Sequence, residues 1–238
     1  MAALLAVVPV LAGEDLAVRM VEGIHAYLDR ATAEAAAKRP QPSRNRLRQM
    51  IGAVDARVSG APEIWSNGRW VRWKVLDGVW GEGLLLAPRG VPACRAVVLP
   101  DADAQPEQSQ LARLVAARGC QVLAPVLIDR RDTWSGIPQF RMTNQPHREW
   151  IWRMAYQAGR TVIGYEVQKV LAAVDWFLRD GKQPVFVAGE GEGGLIAFYS
   201  AAIDTRIDAA IVAGYFGPRD NLWREPIYRD VWGLVREF

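Results

Sequence analysis

Residues 184–194, Pro-Val-Phe-Val-Ala-Gly-Glu-Gly-Glu-Gly-Gly, constrain the fold more than any other stretch of this chain. Val185, Phe186 and Val187 form a short apolar run of strand-forming residues, and a burst of glycines follows. An amphipathic segment over 195–202 comes next. Strand, tight glycine turn and helix is the expected order. Such a turn sets its apex at the carboxyl end of a buried strand, where open α/β sheets bind ligands.

Two chemistries use this kind of junction. A nucleophile elbow, Gly-x-Ser-x-Gly, lifts a serine above the sheet. Gly189, Gly191 and Gly193 fit the spacing, but Gly191 stands in the serine slot. The dinucleotide fingerprint Gly-x-Gly-x-x-Gly is matched by Gly189, Gly191 and Gly194. Against it, Glu190 and Glu192 put carboxylates where a pyrophosphate would sit. The acid that such folds place about 20 residues on, at the end of the next strand, is missing. The elbow reading therefore leads, and a nucleotide-binding oxidoreductase is a distant alternative. Glu190 and Glu192 have two readings of their own. They serve as general acid or base in a serine-free site, or they sit at a helix amino terminus because its dipole favours carboxylates by roughly 0.3–1 kcal/mol each. No His at helical spacing accompanies them, so no metal is expected.

The chain of 238 residues suits one sizeable α/β domain. Its net charge of +3 is mild, and no basic run interleaved with aromatics suggests nucleic acid. Ten Trp residues hint at loops that stack on flat or sugar-like ligands, or else at core filling. Cys94 and Cys120, the two cysteines, each precede an apolar strand-like run; their pairing is left open. Residues 1–12 resemble the hydrophobic part and cleavage site of a signal peptide, without a positive n-region, so an exported protein is expected. They are too short to span a bilayer.

Residues 15–38 carry a helical stripe of Leu16, Met20, Ile24, Tyr27 and Leu28; His25 lies beside it. Ser43 caps a second helix expected over 44–58. Together residues 13–60 read as a helical leader, and residues 61–238 as the α/β domain. Alternation from 65 to 88, with Asp77-Gly78 as the turn, predicts an antiparallel hairpin whose second strand is 79–86. Continuous apolar runs at 96–99 and 122–128 predict buried central strands around a helix over 107–118. A long polar stretch, 129–152, holds Trp134, Arg141, His147 and Trp150, and is expected to lie over the carboxyl end of the sheet as a lid or pocket wall. The clearest helix spans 160–179, followed by the elbow strand and a sixth strand over 209–213.

The stretch from Asp129 to Phe177, above all Gly164-Tyr165-Glu166-Val167-Gln168-Lys169-Val170-Leu171-Ala172-Ala173-Val174-Asp175-Trp176, resembles the segment before the elbow in bacterial acetyl xylan esterase and dienelactone-hydrolase-like proteins of the α/β-hydrolase superfamily. The likeness runs from about residue 70 to 216. It implies a three-layer α/β/α sandwich with a mostly parallel sheet, and a carboxylic ester hydrolase built on a Ser, an acid after the seventh strand and a His after the eighth. No cofactor is implied.

This chain departs from that pattern. Gly191 replaces the nucleophile, and the sequence reaches Phe238 after a sixth strand, so the domain reads as incomplete at its carboxyl end. Both histidines lie upstream of the elbow. No residue here is assigned a catalytic role. The surviving architecture is an oxyanion site lined by the N–H of Glu192 and N–H groups near Asp101, able to polarise a carbonyl but not to form an acyl-enzyme. The function implied is that of an esterase-like fold with a degenerate site that keeps a small-molecule or carbohydrate ester ligand. A carbohydrate-binding accessory module is the alternative. The apolar sixth strand is expected to present an open edge through which copies self-associate.

Overall fold

The computed structural model describes residues 15–38, 41, 43–65, 68–133, 145–217 and 224–237. Two compact units emerge, the larger of them Ser43–Trp232. The smaller contains α1 (Leu16–Lys38) and a single helical turn, Leu234–Glu237. The stripe of α1 is present, yet Leu16, Met20, Ile24, Tyr27 and Leu28 are all more than half exposed.

The larger unit, Ser43–Trp232, runs α2 (Arg44–Met50), β1 (Glu63–Trp65), β2 (Trp70–Leu76), β3 (Val79–Leu86), β4 (Cys94–Leu99), α3 (Gln110–Ala117), β5 (Cys120–Pro125), α4 (His147–Tyr156), α5 (Val162–Asp180), β6 (Val185–Glu190), α6 (Glu192–Ile203) and β7 (Ala209–Ala213). Its sheet has seven strands in the order β1-β2-β3-β5-β4-β6-β7. β1, β2 and β3 pair antiparallel, as does β3 with β5. β5, β4, β6 and β7 form the parallel part.

The central strands are apolar throughout because both faces are covered. Ala96 and Val98 of β4 turn to the face where Ala112 of α3 packs. Alternation turns Val97 and Leu99 to the other face, where α5 and α6 lie together. Ile163, Val167, Val170, Leu171 and Val174 of α5 are fully buried. Each such side chain stabilises the fold by about 1.5–3 kcal/mol. The result is three layers, α/β/α.

Four elements differ from the sequence expectation. β1 adds a strand ahead of the expected hairpin, so the sheet has seven strands and is mixed, with as many antiparallel as parallel pairings, rather than mostly parallel. The helix placed over 44–58 stops at Met50, because the chain turns through Ile51 and the left-handed Gly52. The strand placed over 122–128 leaves the sheet after Pro125; the main chain of Ile128 is instead held by Glu166 and Arg148. The polar stretch 129–152 is not all loop, since α4 begins at His147. β7 pairs with β6 alone among the described residues and is largely exposed.

Candidate functional site

Gly191 sits at the apex between β6 and α6 with φ +56° and ψ −119°. L side chains rarely take that backbone conformation, so glycine is at ease there. Its N–H donates to the Ala213 carbonyl at 2.9 Å, tying the apex to the end of β7. Two residues on, a Cβ at Gly193 would lie 2.2 Å from the Leu99 carbonyl oxygen, so only glycine lets the first turn of α6 press against the end of β4. The glycines are thus explained by the sharp turn and by close packing of helix on strand.

What fills the space above the apex is Asp101, the second residue after β4. Its Oδ1 accepts the Glu192 N–H at 2.8 Å. Arg130, in the segment after β5, grips both oxygens at 2.8 and 3.0 Å and reaches Asp103 at 2.8 Å. Burial pushes the Asp101 carboxyl up, but Arg130 and the Glu192 N–H outweigh it and hold the pKa down to about 2. A Cβ on residue 191 would lie 2.4 Å from Asp101 Oδ1. The side chain of Asp101 and a side chain at 191 compete for one place.

Behind this clamp lies a buried charge lattice. Glu192, fully buried at the start of α6, accepts from Arg229 Nε at 2.7 Å and faces Arg148 at 3.6 Å and Arg130 at 3.4 Å. Arg148 and Glu166, both fully buried, pair through two bonds of 3.0 and 2.9 Å. Arg148 also lies over the Tyr228 ring at 5.3 Å. Burial disfavours its charge, yet Glu166 and Glu192 more than compensate and raise its pKa.

In the structural comparison, the chain matches a candidate acetyl xylan esterase from Bacteroides fragilis NCTC 9343 with a TM-score of 0.59 at 15% identity, over 82% of this chain and 62% of that one. The fold is that of the α/β-hydrolases. An acetyl xylan esterase from Paenibacillus sp. R4 also matches, at 15% identity and a TM-score of 0.47, over 70% of this chain and 56% of that one. The chain therefore spans less than two thirds of the length of either structure. No family model matches the sequence, and no curated protein does so either.

Within the α/β-hydrolase frame, the N–H after the nucleophile slot and an N–H from the segment after β4 form the oxyanion hole. Here the residue after that slot is Glu192, and Asp101, in the segment after β4, accepts its N–H. The sequence expectation set Asp101 beside an oxyanion site, and its carboxylate bonds the Glu192 N–H that was expected to line that site. Glu190 and Glu192, read as a pair, are separated: Glu190 is exposed and Glu192 is ion-paired in the interior. His147 and Trp150 are buried on α4, at the carboxyl end of the sheet. Trp134 and Arg141 lie outside the described residues. Among the described residues, no cluster of three or more His, Cys, Asp or Glu is arranged for a metal. Arg130, Arg148, Arg229 and Glu166 were not singled out. One signal for Glu166 was available: it is an acid directly beside Val167 in the apolar stripe of α5.

Proposed function

We propose that this chain is an esterase-like α/β-hydrolase-fold protein that does not cleave esters through its elbow, and that keeps the site as a closed, ligand-oriented surface. One observation carries the reading: the Asp101 carboxylate accepts the N–H of Glu192, the residue after the nucleophile slot, and stands in the space a side chain at 191 would need. The ligand class suggested by the acetyl xylan esterases it matches is an acetylated carbohydrate, bound rather than cleaved. A bridge between Cys94 and Cys120 supports an oxidising, exported setting, where disulfides persist.

The test is fluorophosphonate labelling of the wild type and of Gly191→Ser, read by peptide mass. Neither should carry an adduct on the peptide spanning residues 185–203, because a new serine meets Asp101 and finds no free oxyanion hole. An adduct at residue 191 in the variant would overturn the reading.

A further inference from the structure

A second set of reactive groups lies in the segment after β5, at the carboxyl end of the sheet, and owes nothing to Gly191. Asp129 Oδ1 is 2.6 Å from His147 Nδ1, and His147 Nε2 is 3.3 Å from Thr133 Oγ1. The His147 side chain is 4% exposed and that of Asp129 18%, whereas Thr133 is exposed. Backbone geometry fixes the arrangement: His147 N–H donates to the Arg131 carbonyl at 2.7 Å, pinning the first residue of α4 to the loop. Arg131 holds Asp129 in turn.

The direction of the hydrogen bonds follows from chemistry. Burial raises the Asp129 pKa, but hydrogen bonds from the Arg131 side chain and backbone outweigh it, so the carboxyl is ionised and acts only as an acceptor. It therefore takes the Nδ1–H of His147. In the neutral ring this leaves Nε2 with a lone pair, and the Thr133 hydroxyl donates to it. Hydroxyl, imidazole and carboxylate are in the order that activates an alcohol as a nucleophile, at a distance usual before substrate tightens the site.

We propose that Thr133 is an acyl-accepting nucleophile, with His147 as its general base and Asp129 as the residue that orients the base. The substrate class is an ester of a small acid with a good leaving group. Thr133 Oγ1 bonds to the acyl carbon while the bond from that carbon to the leaving oxygen breaks. The hydroxyl proton passes to His147 Nε2 and then to the departing alkoxide, giving acyl-Thr133 and free alcohol. Water attacking by the same route releases the carboxylic acid and restores the hydroxyl.

The competing account is that His147 only anchors α4. Wild type, Thr133→Ala, Thr133→Ser, His147→Gln and Asp129→Asn are incubated with p-nitrophenyl acetate, and acetylated peptides and melting temperatures are read together. The expected result is an acetyl group on Thr133 in the wild type and on the serine of the Ser variant, with none in the Ala variant at an unchanged melting temperature. Labelling should fall by about 100-fold in His147→Gln, the usual loss on removing a general base, and by less in Asp129→Asn. Absence of acetyl-Thr133 in the wild type, or an adduct that His147→Gln leaves at full rate, overturns the proposal. If His147→Gln does not fold, the Thr133→Ala and Thr133→Ser pair with Asp129→Asn decides. This outcome is separable from that at the elbow, since Gly191 offers no hydroxyl to label.

Discussion

The two ends of the central strands are closed in different ways. At the amino ends of β4 and β5, Cys94 and Cys120 are register partners joined by a disulfide, with Cα atoms 4.6 Å apart. At the carboxyl ends, Asp101, Arg130, Glu192, Arg229, Arg148 and Glu166 hold the loops through ion pairs. The covalent closure is independent of its neighbours and acts chiefly by restricting the unfolded chain. The ionic closure is mutual: each charge is tolerable in the interior only because the next one is there. The first survives acid and yields to reductant; the second is indifferent to reductant and weakens as acid protonates its carboxylates, while its burial shields it from salt.

The largest effect that would expose this difference is removal of a fully buried member of the lattice. Arg148→Met leaves Glu166 uncompensated and deprives Glu192 of a partner. It should cost about 3–5 kcal/mol, lowering the melting temperature by about 10 °C in a domain of this size. Adding Glu166→Leu should recover only part of the loss, because Glu192 still faces the vacancy; full recovery in a double-mutant cycle would show that the lattice is two separate pairs. Next comes the covalent end. Cys94 and Cys120 are separated by 26 residues, and loop entropy puts the loss in a Cys94→Ser/Cys120→Ser variant at about 3.5 kcal/mol. Its denaturation midpoint should then ignore reductant, whereas the wild-type midpoint falls on reduction.

The sequence revealed most of the frame and little of this lattice. The β6 turn and α5 were readable because a β-branched run meeting glycines, and a stripe at helical spacing, are local signals. The early end of α2 had a local signal too, Gly52, which the apolar periodicity masked. Arg148 and Glu166 are different. Pattern reading sends both to the surface, and their burial comes from meeting each other across the fold, at 2.9 Å. The same holds for Asp101, whose position at a strand end was visible. Its bond to the Glu192 N–H depends on side-chain direction and on Arg130 arriving from the segment after β5.

The smallest effect sharpens the comparison by pH. The Asp101 pKa is lowered from 3.8 to about 2, so its stabilisation is fully present above 3.8 and is lost as pH falls through about 2. At full strength that drop is worth about 2.4 kcal/mol. Water reaches 41% of this side chain, and screening reduces the expectation to about 1 kcal/mol. Asp101→Asn should therefore be less stable than wild type by about 1 kcal/mol in urea at neutral pH, and the gap should close near pH 2. A gap that persists in acid would assign the effect to lost hydrogen-bond geometry rather than charge.

The shared place of Gly191 and Asp101 also shapes which neighbours in sequence space this protein can reach. A serine installed at 191 first lands its Cβ 2.4 Å from an oxygen that Arg130 and the Glu192 N–H hold in place. Shortening Asp101 first leaves Arg130 without its main counter-charge. A side chain at 191 and Asp101 in its present place therefore exclude each other, and a serine can stand at the apex only if both positions change together.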